Sequence, residues 1–226
     1  MILIQQSQWQ EKGLAPEQQI ALLLKELNQI LQHSSPEIIE IQISVGIQIL
    51  PEIAKVKALQ MLVENLCKCY FPNSLHLASF SGKTNSRYYT SNEPELNLIR
   101  QSLQCFILQS CNITKIDIDS FNQQKKSQNI SQNINTLLQE ESHFKNIQDS
   151  ISGAVYIEKL SDELAQKSWA LFQEIESKSN VNIEQWIKEF HEHEIQLYKE
   201  KKKILVGANK YQTKETGDIY TIEKEL

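Results

Sequence analysis

A chain of 226 residues, 40% of them hydrophobic, is long enough to bury a substantial core, and one domain is the default. Its net charge of −5 excludes the basic footprint of a general nucleic-acid binder. No run of about 18 apolar residues offers a membrane span, and the start, Met1-Ile2-Leu3-Ile4-Gln5-Gln6, lacks the features of a signal peptide, so a cytoplasmic protein is expected.

Residues 2–4 open as a short strand. Residues 16–32 predict a helix, with Ile20, Leu23, Leu24, Leu27, Ile30 and Leu31 on one stripe and Pro16 suited to the first turn. In 39–45 Ile39, Ile41, Ile43 and Val45 alternate with polar residues, as a strand with one buried face requires. Residues 51–70 form a second helix, apolar around much of its circumference and so buried. A third strand is predicted at 75–80, a helix at 92–108 with Leu96, Ile99, Leu103, Phe106 and Ile107 inward, and a fourth strand at 113–118. Residues 128–141 read as a helix through Ile130, Ile134, Leu137 and Leu138. Ser161 starts another, with Leu164, Ser168, Trp169, Phe172 and Ile175 on a face. The stretch 182–203 is long and amphipathic, 204–207 is a short terminal strand or extended segment, and the charged tail 212–226 is expected to be flexible.

Strand–helix alternation with short links predicts an α/β fold with a parallel sheet. The four cysteines, Cys67, Cys69, Cys105 and Cys111, form neither a zinc ribbon nor a disulfide framework and read as reduced packing residues. His191-Glu192-His193-Glu194 lacks H-E-x-x-H spacing. Its histidines stand about 200° apart on a helix, so a solvated face is expected rather than a metal site. The only two arginines are Arg87 and Arg100, which limits the directional grip available for an anion.

The stretch 147–176, IQDSISGAVYIEKLSDELAQKSWALFQEIE, and the later Val206-Gly207-Ala208-Asn209-Lys210-Tyr211 resemble D-P-x-G-G-S-Y-Y-(V/I)-E, L-T-D-E-L-A-x-K-A-W and V-G-V-N-K-Y. These belong to the acyl-CoA-binding barrel of the methylmalonyl-CoA mutase family. The resemblance implies that residues 1–211 are the later half of a (β/α)8 TIM-type barrel followed by extra C-terminal helices. Four parallel strands leave two open edges, so either the N-terminal barrel half is missing, the preferred explanation, or another chain covers the gap. It also implies adenosylcobalamin at the level of the complex, supplying a radical that the protein positions. No D-x-H-x-x-G cobalt-ligating motif occurs, so this chain is not expected to bind cobalamin alone.

The reaction-face positions implied by the resemblance have drifted. Gln8 stands where the family has the histidine of H-x-Q-E-A-G, and glutamine cannot titrate near neutrality. In Glu52-Ile53-Ala54-Lys55-Val56-Lys57-Ala58-Leu59-Gln60, similar to E-I-A-K-x-R-A-x-R, both arginines are replaced, by Lys57 and Gln60. Thr90, Asn97 and Arg100 match L-T-x-Q-D-x-Y-N-N-x-x-R, whose glutamine becomes Asn92; Arg100 reads as a helix arginine making local hydrogen bonds. Gln109, Ser110, Lys115 and Asp117 replace the glycines, histidine and asparagine of G-G-T-Q-S-L-H-T-N. Lys57 and Asn92 remain as weak substrate-binding candidates, and acyl-CoA is expected to bind weakly if at all.

Packing positions kept while ligand positions drift fit a non-catalytic small subunit. Such a chain would scaffold a cobalamin-carrying large subunit in the interconversion of methylmalonyl-CoA and succinyl-CoA. An active isomerase with a diverged site using Gln8 and Lys57, and a truncated fragment without function, are the alternatives.

Overall fold

A computed structural model of the protein describes residues 2–34, 36–72, 78–91, 93–122, 127–147, 150–177 and 182–211. The elements run β1 (Ile2–Gln5), α1 (Ser7–Glu11), α2 (Pro16–His33), β2 (Ile39–Ser44), α3 (Ile49–Tyr70), β3 (Ala78–Lys83), α4 (Leu96–Ser110), β4 (Ile116–Asp117), α5 (Ser127–Glu140), α6 (Val155–Ser177) and α7 (Ile183–Lys199). All strand pairs are parallel, in the order β1-β2-β3-β4. That is the arrangement of successive (β/α) barrel units, with β1 and β4 as open edges.

The alternation in β2 does what its pattern demands: Ile39, Ile41, Ile43 and Val45 are fully buried. They face Ile20, Leu23, Leu24 and Leu27 of α2 and Val56, Leu59 and Val63 of α3 in one core. Each such side chain contributes roughly 1.5–3 kcal/mol on burial. The opposite face of the sheet carries Leu3, Gln5, Glu40, Gln42, Ser79 and Ser81. Barrel interiors are more often filled by bulky branched residues. Here Lys115 reaches across to Glu40 at 2.7 Å, and hydrogen bonds from Lys115 and Ser81 hold the Glu40 carboxyl below its ordinary range.

Helix α2 starts as expected at Pro16, with the Ala15 N–H donating to Gln18 Oε1 at 3.1 Å. Helix α3 starts two residues before Pro51, which sits harmlessly in the first turn. Helix α6 crosses α2 and α3 through Ile157, Ala165, Phe172 and Ile175. Asn28 binds Glu176 at 3.2 Å and accepts from the Tyr70 hydroxyl at 2.7 Å.

Several expectations are corrected. Strand β3 lies three residues beyond the predicted 75–80, because Ile43 and Ser44 continue the ladder onto Gly82 and Lys83; residues 75–77 are outside the described set. Strand β4 has two residues instead of six, with Ile113 and Ile118 buried on either side of it. Helix α6 begins at Val155; Ser161 is not its cap but donates to the Ile157 carbonyl at 2.7 Å inside the helix. Residues 204–207 do not form a strand beyond a single bridge, Val206 to Lys210, that closes a turn. The tail 212–226 lies outside the described residues.

The largest correction is α4. It begins at Leu96 and buries Asn97, Arg100, Gln101 and Gln104, while Ile99 (60%) and Phe106 (37%) are exposed; of the expected inward residues Ile107 is buried, beside Cys105 and Leu108. In α5 the expected inward stripe also faces out, with Ile130 and Leu137 about half exposed and only Ser127 and Ser131 buried. Polar interlocking adds to the apolar packing of Ile107 and Leu108 here: Gln104 accepts from the Asn85 N–H and donates to the Asn85 carbonyl, and Ser131 donates to Gln101.

Candidate functional site

Parallel strands gather their carboxyl ends on one side, where (β/α) folds hold ligands. After β1, α1 presents Gln8 and Gln10; after β2 come Gly46 and Gln48; after β3 a 3-10 turn, Ser86–Tyr88, presents Arg87 and Tyr88. Helix α7 and the turn 204–210 lie over this mouth, with Ile195, Tyr198, Leu205 and Ala208 packed in their own small cluster against Ile47 and Tyr88. Beneath α7 is a cavity of about 470 Å³ lined by Gln10, Gln19, Gln48, Glu52, Tyr88 and Tyr198, among others.

Two buried cations organise the mouth. Lys55, 0% exposed, forms an ion pair with Glu52 at 2.5 Å. Its Nζ also donates to Gln10 Oε1 at 2.8 Å, the Ser44 carbonyl at 3.0 Å and Gln19 Oε1 at 3.4 Å. Gln6 extends the network by donating to Gln19 at 2.6 Å and accepting from the Ser44 N–H at 2.9 Å. This polar core locks α1 to β2 and α3.

Arg87 is the second. Its Nε and Nη2 meet Glu194 Oε2 at 3.3 and 2.9 Å, its Nη1 donates to the Glu11 carbonyl at 3.0 Å, and Nη2 lies 2.8 Å from His191 Nδ1. Both partners of the pair are nearly sealed from solvent, and Lys203 adds a third contact to Glu194 at 3.4 Å. The guanidinium lies so close to Gly13, whose φ is +77°, that a Cβ there would sit 2.3 Å from Nη2. Burial, then the nearby Glu194 charge, raises the Tyr88 hydroxyl well above its ordinary pKa, and burial does the same for Tyr198. Arg100 makes the expected local bonds to Thr90 (3.0 Å) and Asn97 (2.7 Å), and also donates to the Val206 carbonyl at 2.7 Å. Thus both arginines of the chain hold the segment that covers the mouth.

The predicted site residues are not brought together. Gln8 lies half-buried on α1 and makes no side-chain hydrogen bond among the described residues. Lys57 is half-buried on α3, about 200° around the helix from Lys55 and so turned away from the mouth. Asn92 is outside the described residues. Gln60 donates to the Cys111 carbonyl at 3.1 Å, tying α3 to the end of α4. The reading of 191–194 as a solvated face is half corrected. Glu192 and His193 are exposed, but Glu194 is buried and His191 half-buried against Arg87.

Two residues central to the mouth, Lys55 and Glu194, are not singled out by their sequence context. The available signal for the pairing was the scarcity of arginine. The mouth's strong donors are committed internally, His191 is engaged with Arg87, and among the described residues no group of three or more His, Cys, Asp or Glu side chains could hold a metal ion. No helix among the described residues is long and apolar enough to cross a membrane.

A family model described as methylmalonyl-CoA mutase matches residues 32–225. The chain is 24% identical over 183 residues to the methylmalonyl-CoA mutase of Rhizobium meliloti, covering 74% of this chain and 26% of that protein. To the small subunit of Porphyromonas gingivalis it is 24% identical over 201 residues, 81% of this chain and 32% of that one. To the large subunit of Propionibacterium freudenreichii subsp. shermanii it is 25% identical over 182 residues, 74% of this chain and 25% of that one. The chain therefore spans a third or less of the length of these curated relatives. With the match taking in most of its length and the parallel (β/α) units in place, the chain belongs to the methylmalonyl-CoA mutase family.

Proposed function

We propose that the chain is a small-subunit-like, non-catalytic part of a methylmalonyl-CoA mutase. It scaffolds a cobalamin-carrying large subunit, and the complex interconverts methylmalonyl-CoA and succinyl-CoA. The observation that carries this reading is the internal commitment of Lys55, Arg87 and Arg100 at the strand ends. The absence of a titrating group at Gln8 agrees with it. The two sheet edges and the outward apolar side chains Ile99, Phe106, Ile130 and Leu137 supply surface for the rest of a barrel or for the partner subunit. Relatives named both as small and as large subunits fit such a partnership.

The test is co-purification with a cobalamin-binding large subunit. A complex forms at micromolar concentration, and the Ile99→Asp/Leu137→Asp variant loses it while keeping its own fold. No complex overturns the reading. Turnover by the chain alone with adenosylcobalamin, reduced in Gln8→Ala, would instead assign an active isomerase.

A further inference from the structure

The geometry points to a carboxylate-binding cradle at the mouth, formed by Arg87 and Lys203 and filled in the resting chain by the chain's own Glu194. In that role α7 is a resident plug whose carboxylate competes with an external carboxylate ligand. The inference rests on reading this mouth as the ligand end of the fold and adds a regulatory contact to it.

Three features carry it. First, Glu194 presents one oxygen to both Nε and Nη2 of Arg87 and the other to Lys203, so a single carboxylate takes donors from two cations. This is how a bound carboxylate ligand would be gripped. Second, the guanidinium is prepositioned by contacts that do not involve Glu194: Nη1 on the Glu11 carbonyl, and a close approach to Gly13 that any Cβ would block. Removing the glutamate therefore leaves the cation held in place. Third, the cradle borders the cavity of about 470 Å³ that Glu194 and Lys203 help to line, so space for a ligand larger than the side chain adjoins the charge. Arg100, through the Val206 carbonyl, anchors the other end of the covering segment. The plug is thus anchored at 204–210 and latched at Glu194.

The experiment is chemical rescue. Glu194→Ala empties the cradle, and acetate or formate refills it. The melting temperature of the variant rises with acetate in a saturable way that chloride at equal ionic strength does not reproduce. At ten times its dissociation constant acetate multiplies the folded-to-unfolded ratio about elevenfold. The Arg87→Met/Glu194→Ala double variant shows no such response. In the wild-type chain, saturating succinate speeds amide exchange of 183–211 by about tenfold without changing exchange in α2 or α3. If Glu194→Ala does not fold, Glu194→Gln, which keeps the shape and removes the charge, shows the same faster exchange without ligand. Absence of acetate-specific stabilisation in a folded Glu194→Ala, or unchanged exchange of 183–211 in both the wild type with succinate and Glu194→Gln, overturns the plug. A chain that still co-purifies with the large subunit but fails these tests loses the plug alone and keeps the scaffolding role.

Discussion

Lys55 shows how one residue can serve structure at a position where chemistry is expected. Its ammonium is buried without exposure because four acceptors surround it: Glu52, Gln10, Gln19 and the Ser44 carbonyl. A buried charge is tolerated only when paired and hydrogen-bonded. Lys55→Met keeps the volume but strands the Glu52 carboxylate, and breaking one side of a buried pair costs about 3–5 kcal/mol. Urea denaturation will measure that loss, and Lys55→Met/Glu52→Gln recovers part of it because the orphan charge goes too. At this scale the sequence is least legible. Lys57 and Lys55 are the same residue type two positions apart, and only the helix phase against Ser44 and Gln10 decides which faces the mouth. Gln8 is legible as a replacement, whereas its lack of engagement depends on the neighbours that α1 meets. Glu194 reads from sequence as a solvated acid because its partner, Arg87, lies 107 residues away.

Helix α4 separates pattern from burial. Its apolar residues predict one inward face, and Ile107 keeps to it, yet the first half of the helix buries Asn97, Arg100, Gln101 and Gln104 instead. The loop after β3 needs those side chains: the Asn85 backbone is satisfied by Gln104 and the Thr90 backbone by Asn97. Gln104→Leu leaves the Asn85 N–H and carbonyl without that partner, a cost of about 1–3 kcal/mol for each group left unsatisfied. Ile99→Ala on the opposite face stays within about 0.5 kcal/mol. Denaturant midpoints for the two variants distinguish the observed orientation from the one periodicity suggests, which predicts the reverse ranking. Helix α2 and strand β2, by contrast, are legible almost to the residue, since their apolar positions match a single period and meet each other. Helix α6 has its face legible and its start not, because the exposed Val155 and Tyr156 give its first turn no burial pattern to follow.

Across the whole molecule, the parallel α/β architecture follows from strand–helix alternation, and its closeness to a barrel follows from the family resemblance. The placement of α7 over the strand ends follows from neither, since its ion pair and its turn contacts are both long-range. The packing of α3 and α4 is open to a direct chemical check. Cys69 is exposed, while Cys67, Cys105 and Cys111 are buried. Burial pushes the Cys67 thiol up to about 11 and the Cys105 thiol up to about 12. The thiolate is the reactive form, so at pH 8 an aromatic disulfide reagent modifies one thiol quickly in the native chain and the remaining three only in guanidinium. A second fast thiol would show that α3 or α4 is not packed as described.

The crossing of α6 over α2 has a consequence for how the chain comes together during synthesis. Each strand pairs with its immediate successor, so every strand pairing is available as soon as the next unit has emerged. The contact between Asn28 and Glu176 spans 148 positions, and until it forms, α2 and α3 keep an apolar flank bare. Closing so long a loop adds only a slowly rising entropic cost, but it delays commitment. The nascent chain is therefore sheet-competent early and locked late, and it remains exposed to chaperones until Ile175 has left the ribosome.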